Sequence, residues 1–146
     1  MTSMLVVVLA LLMGAVLSLA SASHRRVSSL LGALVAMASC ACGAWVSIRA
    51  LLFGNVETIA LGWSIPNGAL SLGLDPLTSF FLSPLCLLGG LAACYGRVYL
   101  LEHSPKRNLA GHWASYNLML AGMILVLLAR HALVFLFAWE VMSLAA

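Results

Sequence analysis

One carboxylate, Glu140, lies inside an almost entirely apolar run near the carboxyl end of the sequence. Apart from Ser143, every other residue from Ala132 to Ala146 is apolar. An ionisable group in a membrane-spanning segment costs roughly 2.5–3.5 kcal/mol on insertion scales, so such a group is normally functional or paired. Burial favours the neutral carboxyl and a nearby cation favours the charged one, so a group between these effects can exchange protons. The setting of Glu140 therefore predicts a proton relay, and the alternative is a structural anchor that hydrogen-bonds another helix.

Three other residues are candidates for chemistry, and each also has a simpler explanation. His112 and His131 open the last two apolar segments, near the predicted water boundary. Both fit interfacial histidines, and the alternative places them on a proton entry or exit path, because histidine titrates near neutral pH. Asp75 followed by Pro76 fits the N-cap and first position of a helix better than it fits a catalytic acid.

The composition decides what kind of chain carries these residues. Of its 146 residues, 64% are hydrophobic and 8% are charged, and the mean hydropathy is +1.11. About a quarter of a soluble domain is charged. The apolar residues form long runs, so we expect an all-α integral membrane protein in one domain, residues 1–146. Five helices are predicted, at about 4–22, 27–53, 76–101, 112–129 and 132–146.

Basic residues predict the orientation of these helices. The first link, the end of the third segment and the link after it hold five Lys or Arg residues: Arg25, Arg26, Arg97, Lys106 and Arg107. The opposite side holds two, Arg49 and Arg130, which are read as side chains that extend to the membrane surface. Because cytoplasmic loops carry the excess of positive charge, the N-terminus is predicted to lie outside and the chain to be multi-pass.

Residues 58–74 are predicted to form a β-hairpin on the outer side. Large apolar residues alternate with smaller or polar ones on both sides of Pro66-Asn67-Gly68-Ala69. A loop of two or four residues is expected to place Ile65 opposite Leu70, and the missing N–H of Pro66 favours the wider loop, built on a type I turn. The apolar face of the hairpin needs a cover, either the chain's own helices or a neighbouring subunit.

The chain shows no enzyme-like constellation and implies no cofactor. It contains no CxxC, no paired histidine ligands and no phosphate-binding loop. Cys40, Cys42, Cys86 and Cys94 all lie in apolar stretches and are read as small packing residues. The net charge of +3 is scattered, so nucleic acid is not an expected partner. Any redox chemistry is expected to belong to partner proteins.

Three stretches of the sequence resemble a known superfamily. They are LDPLTSFFL at 74–82, NLMLAGMILV at 117–126 and ALVFLFAWEVMSL at 132–144. They are similar to the third, fourth and fifth helices of the antiporter-like membrane subunits found in respiratory complex I, membrane-bound hydrogenases and multisubunit cation/proton antiporters. The motif FAWEVMSL most closely resembles the hydrogenase-4 component B and formate hydrogenlyase branch.

The resemblance implies a function and a site. It implies a proton-translocating subunit of a redox-driven complex in the bacterial inner (cytoplasmic) membrane, partnered by other membrane subunits, a peripheral redox arm and the lipid bilayer. It assigns Glu140 to the proton channel, paired with a lysine on a later helix. The full fold would have about fourteen helices, and the chain stops about 24 Å into a core of ~30 Å. We therefore expect an N-terminal fragment of that larger fold.

Overall fold

The residues that the structure describes fold into five helices and one β-hairpin in the computed structural model. The structure describes residues 1–54, 56–65, 68–103 and 108–146, and for 61–65 and 68–70 it describes the backbone only. The elements in chain order are α1 (Thr2–Ala20), α2 (Arg25–Phe53), β1 (Glu57–Ile65), β2 (Gly68–Leu74), α3 (Pro76–His103), α4 (Leu109–Leu128) and α5 (Ala132–Ala145).

Four of the helices, α1 to α4, are long and apolar enough to cross a membrane. The fifth, α5, is apolar but has 14 residues. Three helices begin earlier than predicted: α1 at Thr2, α2 at Arg25 and α4 at Leu109. The cap of α4 explains its early start, because the Asn108 side chain accepts hydrogen bonds from the N–H groups of Ala110 and Gly111 at 3.1 and 3.3 Å.

The helices pack around a central pair, α2 and α4. Helices α1 and α3 each contact both members of this pair, whereas α5 packs against α4 and touches β2. Small residues let the helices approach closely, as they do in membrane bundles. A β-carbon added at Gly32 would lie 2.5 Å from the Trp113 side chain, so only glycine fits at this crossing of α2 and α4.

The hairpin is antiparallel, but its register differs from the predicted one. Ile65 pairs with Gly68 rather than with Leu70, and Leu70 pairs with Leu61 instead. The register shifts between Leu61 and Ile65, because the first strand accommodates extra residues in an irregularity there. The predicted turn type at residues 66 and 67 lies outside the described residues.

The second strand packs on the chain's own helices. Leu72 and Leu74 are buried, with 3% and 1% of their surface exposed. The strand contacts α3, α4 and α5. Of the two covers considered for the hairpin, the chain's own helices therefore bury this part of its apolar face.

Candidate functional site

The candidate site is built on α5, and the hairpin holds the start of that helix. The Arg130 N–H donates a hydrogen bond to the Ser71 carbonyl at 2.9 Å. Leu72 and Ala129 form an isolated antiparallel bridge next to it. The link between α4 and α5 is therefore attached to the free edge of β2 through its backbone.

The Arg130 side chain makes a second attachment, to the start of α3. Its Nη2 lies 2.7 Å from the Asp75 carboxylate and donates to the Thr78 hydroxyl at 3.1 Å. The predicted role of Asp75 as an N-cap is confirmed, because its Oδ1 accepts the Thr78 N–H at 2.7 Å. The prediction that Arg130 extends to the membrane surface stays a prediction, and its guanidinium pairs with Asp75. We call Asp75, Thr78 and Arg130, with the backbone of Ser71, the junction.

Hydrogen bonding and charge both stabilise the ionised form of Asp75. The pKa of this carboxyl falls from its ordinary value near 3.8 to about 2. The largest cause is the hydrogen bond from the Thr78 N–H, followed by the Thr78 hydroxyl, and Arg130 adds to both, while burial works in the opposite direction. Asp75 and Arg130 therefore form an ion pair across most of the pH range.

The two predicted proton-path histidines both lie at or near helix starts. His131 is the N-cap of α5, where its Nδ1 accepts the Leu133 N–H at 3.3 Å. His112 is exposed in the first turn of α4, and its ring meets the Trp113 ring edge-on at a centroid distance of 5.7 Å. A role for either residue in proton transfer remains a prediction.

Helix α5 packs tightly on α4 along a single side. Ala138 is buried, and a β-carbon added at Gly122 would lie 3.0 Å from the Met142 Cα, so the two backbones nearly touch there. Glu140 is two residues from both Ala138 and Met142, which places it about 200° around the helix from each. The Glu140 side chain accordingly points away from α4 and is exposed.

The face that carries Glu140 is otherwise apolar and large. Phe137, Trp139 and Leu144 are 72%, 48% and 85% exposed. Within residues 1–54, 56–65, 68–103 and 108–146, no side chain or backbone group makes a hydrogen bond or ion pair with the Glu140 carboxylate. We call this surface the α5 face. Its one charged group has no partner in the described part of the chain.

The structure does not bring the three predicted site residues together. His131 precedes Glu140 by nine residues, which is about 14 Å along α5. Gly122 lies beside Met142, and His112 is ten residues, or about 15 Å, further along α4. A proton passing between Glu140 and either histidine would therefore need intermediate carriers.

A buried polar network is the feature that the sequence interpretation missed. Asn117 is completely buried, and its Nδ2 donates to the carbonyls of Gly32 at 3.1 Å and Trp113 at 2.8 Å. The Trp113 indole N–H donates to the Ser29 hydroxyl at 3.1 Å, and the Tyr116 hydroxyl donates to the Gly89 carbonyl at 2.6 Å. An asparagine inside an apolar helix was the available signal, since such residues hydrogen-bond across helices.

The described ranges contain neither a cluster of metal ligands nor a disulfide. No group of three His, Cys, Asp or Glu side chains there could hold a metal ion. All four cysteines are free, and Cys40 and Cys86 are buried while Cys42 and Cys94 are exposed. Cys86 fills the space opposite Gly43, where an added β-carbon would lie 2.8 Å from its sulfur. These two buried thiols therefore act as packing atoms between α2 and α3.

Similarity to known proteins is limited to part of the chain. No protein-family model matches the sequence. The chain is similar to two uncharacterized proteins of Mycobacterium tuberculosis, one from strain H37Rv and one from strain CDC 1551. Each is 35% identical over 95 residues, which are 64% of this chain and 14% of the relative. The chain thus spans about a seventh of the length of the relatives it matches, and their names bring no activity, substrate or partner to it.

Proposed function

We propose that the protein is a proton-translocating membrane subunit of a redox-driven complex, most similar to the membrane-bound hydrogenase and formate hydrogenlyase type. The observation that carries this proposal is the lone carboxylate of Glu140 on the apolar α5 face, without a partner among the described residues. The proposed fold is five spanning helices of an antiporter-like subunit with the hairpin outside. The proposed location is the bacterial inner membrane, with the N-terminus outside.

The physical argument starts from the cost of a charge in hydrocarbon. A carboxylate on an apolar helix face must either take up a proton or meet a cation or hydrogen-bond donor. The described residues supply neither a cation nor a donor, so either Glu140 is protonated or its partner belongs to another helix or subunit that covers the α5 face. Protonation of Glu140 would then depend on the state of that partner, and such coupling is what a proton relay needs.

The surrounding structure supports a site of this kind. The tight backbone contact at Gly122 fixes the rotation of α5, and the junction fixes its first turn. A group that transfers protons works best when rigid neighbours hold it in position. Electron transfer would belong to a peripheral arm, since the described residues offer no cluster of metal ligands.

There are two alternative functions. A subunit of respiratory complex I or of a cation/proton antiporter would use the same carboxylate. Sodium-dependent transport would distinguish an antiporter subunit from a subunit of complex I or of a hydrogenase complex. A structural membrane scaffold without transport is a different class of function. The buried network of Asn117 and the junction favour it, because both join helices through hydrogen bonds or an ion pair.

The test is Glu140→Gln in the assembled membrane complex. Glutamine keeps the size and hydrogen-bonding capacity of the side chain but cannot carry a proton. We expect proton pumping in membrane vesicles to fall by roughly tenfold or more, as when other acid–base groups are removed, while the assembly remains intact. The matched control is Glu102→Gln, which makes the same change at an exposed carboxylate near the end of α3.

Two results would contradict the relay. Normal pumping by an assembled Glu140→Gln complex would leave the scaffold function as the better explanation. An equal loss of pumping in the Glu102→Gln control would show that the effect is not specific to the α5 face.

A further inference from the structure

A cavity of about 500 Å³ opens between the start of α1, the last turns of α2 and the first residue of β1. It lies at the hairpin end of the bundle, away from the α5 face. Its polar lining includes Thr2, Ser3, Arg49 and Glu57, and Trp45 forms part of its apolar lining. Its volume falls within the range of cavities that hold small molecules.

The charges around this cavity leave an excess of one cation. Glu57 forms an ion pair with the α-amino group of Met1. Arg49 forms no hydrogen bond or ion pair with any residue of the described ranges. The guanidinium is therefore available for a ligand, and its planar set of donors suits two oxygens of a phosphate group.

Helix α2 presents an apolar surface next to this cation. Trp45, one turn before Arg49, is 65% exposed, and Cys42, a further turn back, is also exposed. Arginine near a helix end, followed by tryptophan and then by smaller apolar residues, is the order found from the surface of a membrane toward its interior. The same order of chemistry, from phosphate to glycerol to acyl chain, occurs in a phospholipid.

We propose that this cavity binds the phosphodiester headgroup of a membrane phospholipid. Arg49 holds the phosphate, the hydroxyls of Thr2 and Ser3 donate hydrogen bonds to its remaining oxygens, and an acyl chain lies along Trp45 and Cys42. A phospholipid and a soluble phosphate compound both offer a phosphate group, and we propose the phospholipid as the occupant. This site is independent of the proton-transfer proposal.

The experiment measures lipid binding to the full chain, purified in detergent and stripped of lipid. Native mass spectrometry would compare three probes: phosphatidylglycerol, diacylglycerol and glycerol phosphate. We expect phosphatidylglycerol to be retained, because it alone supplies both the phosphate and the acyl chains. Equal retention of diacylglycerol would overturn the role of the phosphate, and equal retention of glycerol phosphate would overturn the lipid.

Substitutions then locate the binding. Arg49→Gln should weaken phosphatidylglycerol binding roughly tenfold or more, as expected for loss of charge-assisted hydrogen bonds, and Arg49→Lys should weaken it less. Arg26→Gln, at the other end of the same helix, is the matched control and should leave binding unchanged. Unchanged binding by Arg49→Gln, with unfolding temperatures equal to that of the wild type, would overturn the proposal.

Discussion

The start of α5 and the segment around Glu140 differ in how their carboxylates are paired. At its start, the junction attaches the chain to β2 and α3 through an ion pair, a side-chain hydrogen bond and a backbone bridge. Two and a half turns further on, Glu140 has no partner among the described residues and lies among exposed aromatic side chains. Both regions contain one carboxylate on or beside an apolar helix, and among the described residues only Asp75 finds a partner.

This difference separates a structural carboxylate from a candidate functional one. Asp75 stabilises the fold because its charge is matched by Arg130 and by the Thr78 N–H. Glu140 makes no such contact in the described structure, so its carboxylate would have to serve something outside these residues. Mutations should therefore reduce stability at the junction and leave it unchanged on the α5 face.

The largest effect is expected from Gly73→Ala. A β-carbon there would lie 2.4 Å from the Arg130 Nε and 3.0 Å from its Cγ, so the arginine must leave its position. Its bonds to Asp75 and Thr78 would be lost, and we expect the free energy of unfolding to fall by about 1–2 kcal/mol for this partly exposed pair. Thermal or denaturant unfolding in detergent would measure the change.

A double mutant gives the control for this prediction. When Arg130 is already replaced by alanine, Gly73→Ala should have little further effect, because the atoms it displaces are absent. Gly96→Ala, where the nearest atom outside its own helix is 4.0 Å away, should not lower stability. Additive losses in the double mutant would mean that Gly73 matters for a reason other than Arg130.

A smaller effect is expected from pH acting on Asp75. Its pKa is about 2 in the folded chain and near 3.8 ordinarily, so the unfolded chain binds the proton more readily. The stabilising contribution is therefore complete above about pH 4 and is lost as the pH falls toward 2. Asp75→Asn keeps the capping oxygen but not the charge. Acid unfolding curves of the two proteins should converge at low pH, and a constant difference between them would refute this role.

The smallest effect is expected from Glu140→Gln on stability. Because no described residue pairs with this carboxylate, the free energy of unfolding of the isolated chain should change by less than about 0.5 kcal/mol. The same unfolding assay used for Gly73→Ala gives a direct comparison. A loss of stability as large as that at the junction would show that Glu140 is a structural anchor, as in the scaffold alternative.

The sequence interpretation located the helices and the cap of α3 through local signals. Apolar runs longer than 17 residues require helices in a membrane, because every backbone N–H and C=O must be bonded within its own segment. Asp75 before Pro76 indicated a helix start without any knowledge of distant residues. The cap at Asn108 was equally local and was overlooked because a link was expected there.

The hairpin shows where local patterns fail. Alternation identified the strands, but the register depends on where β1 accommodates its extra residues, between Leu61 and Ile65. Period-two patterns leave the inward face unchanged when the register shifts by two residues. Nothing in the alternation could therefore distinguish the predicted pairing of Ile65 with Leu70 from the observed one.

The sequence by itself determined the helical, membrane-type character of the chain and the isolation of Glu140 within an apolar segment, because both depend on which residues are adjacent. Only the tertiary structure decided that Arg130 pairs with Asp75, that Asn117 joins α4 to α2, and that Glu140 faces away from the bundle. These facts depend on contacts between residues 55 and 85 positions apart, and on the rotation of α5 set by close packing at Gly122. Side-chain type and spacing do not encode such contacts, because many helix arrangements bury the same apolar surface equally well.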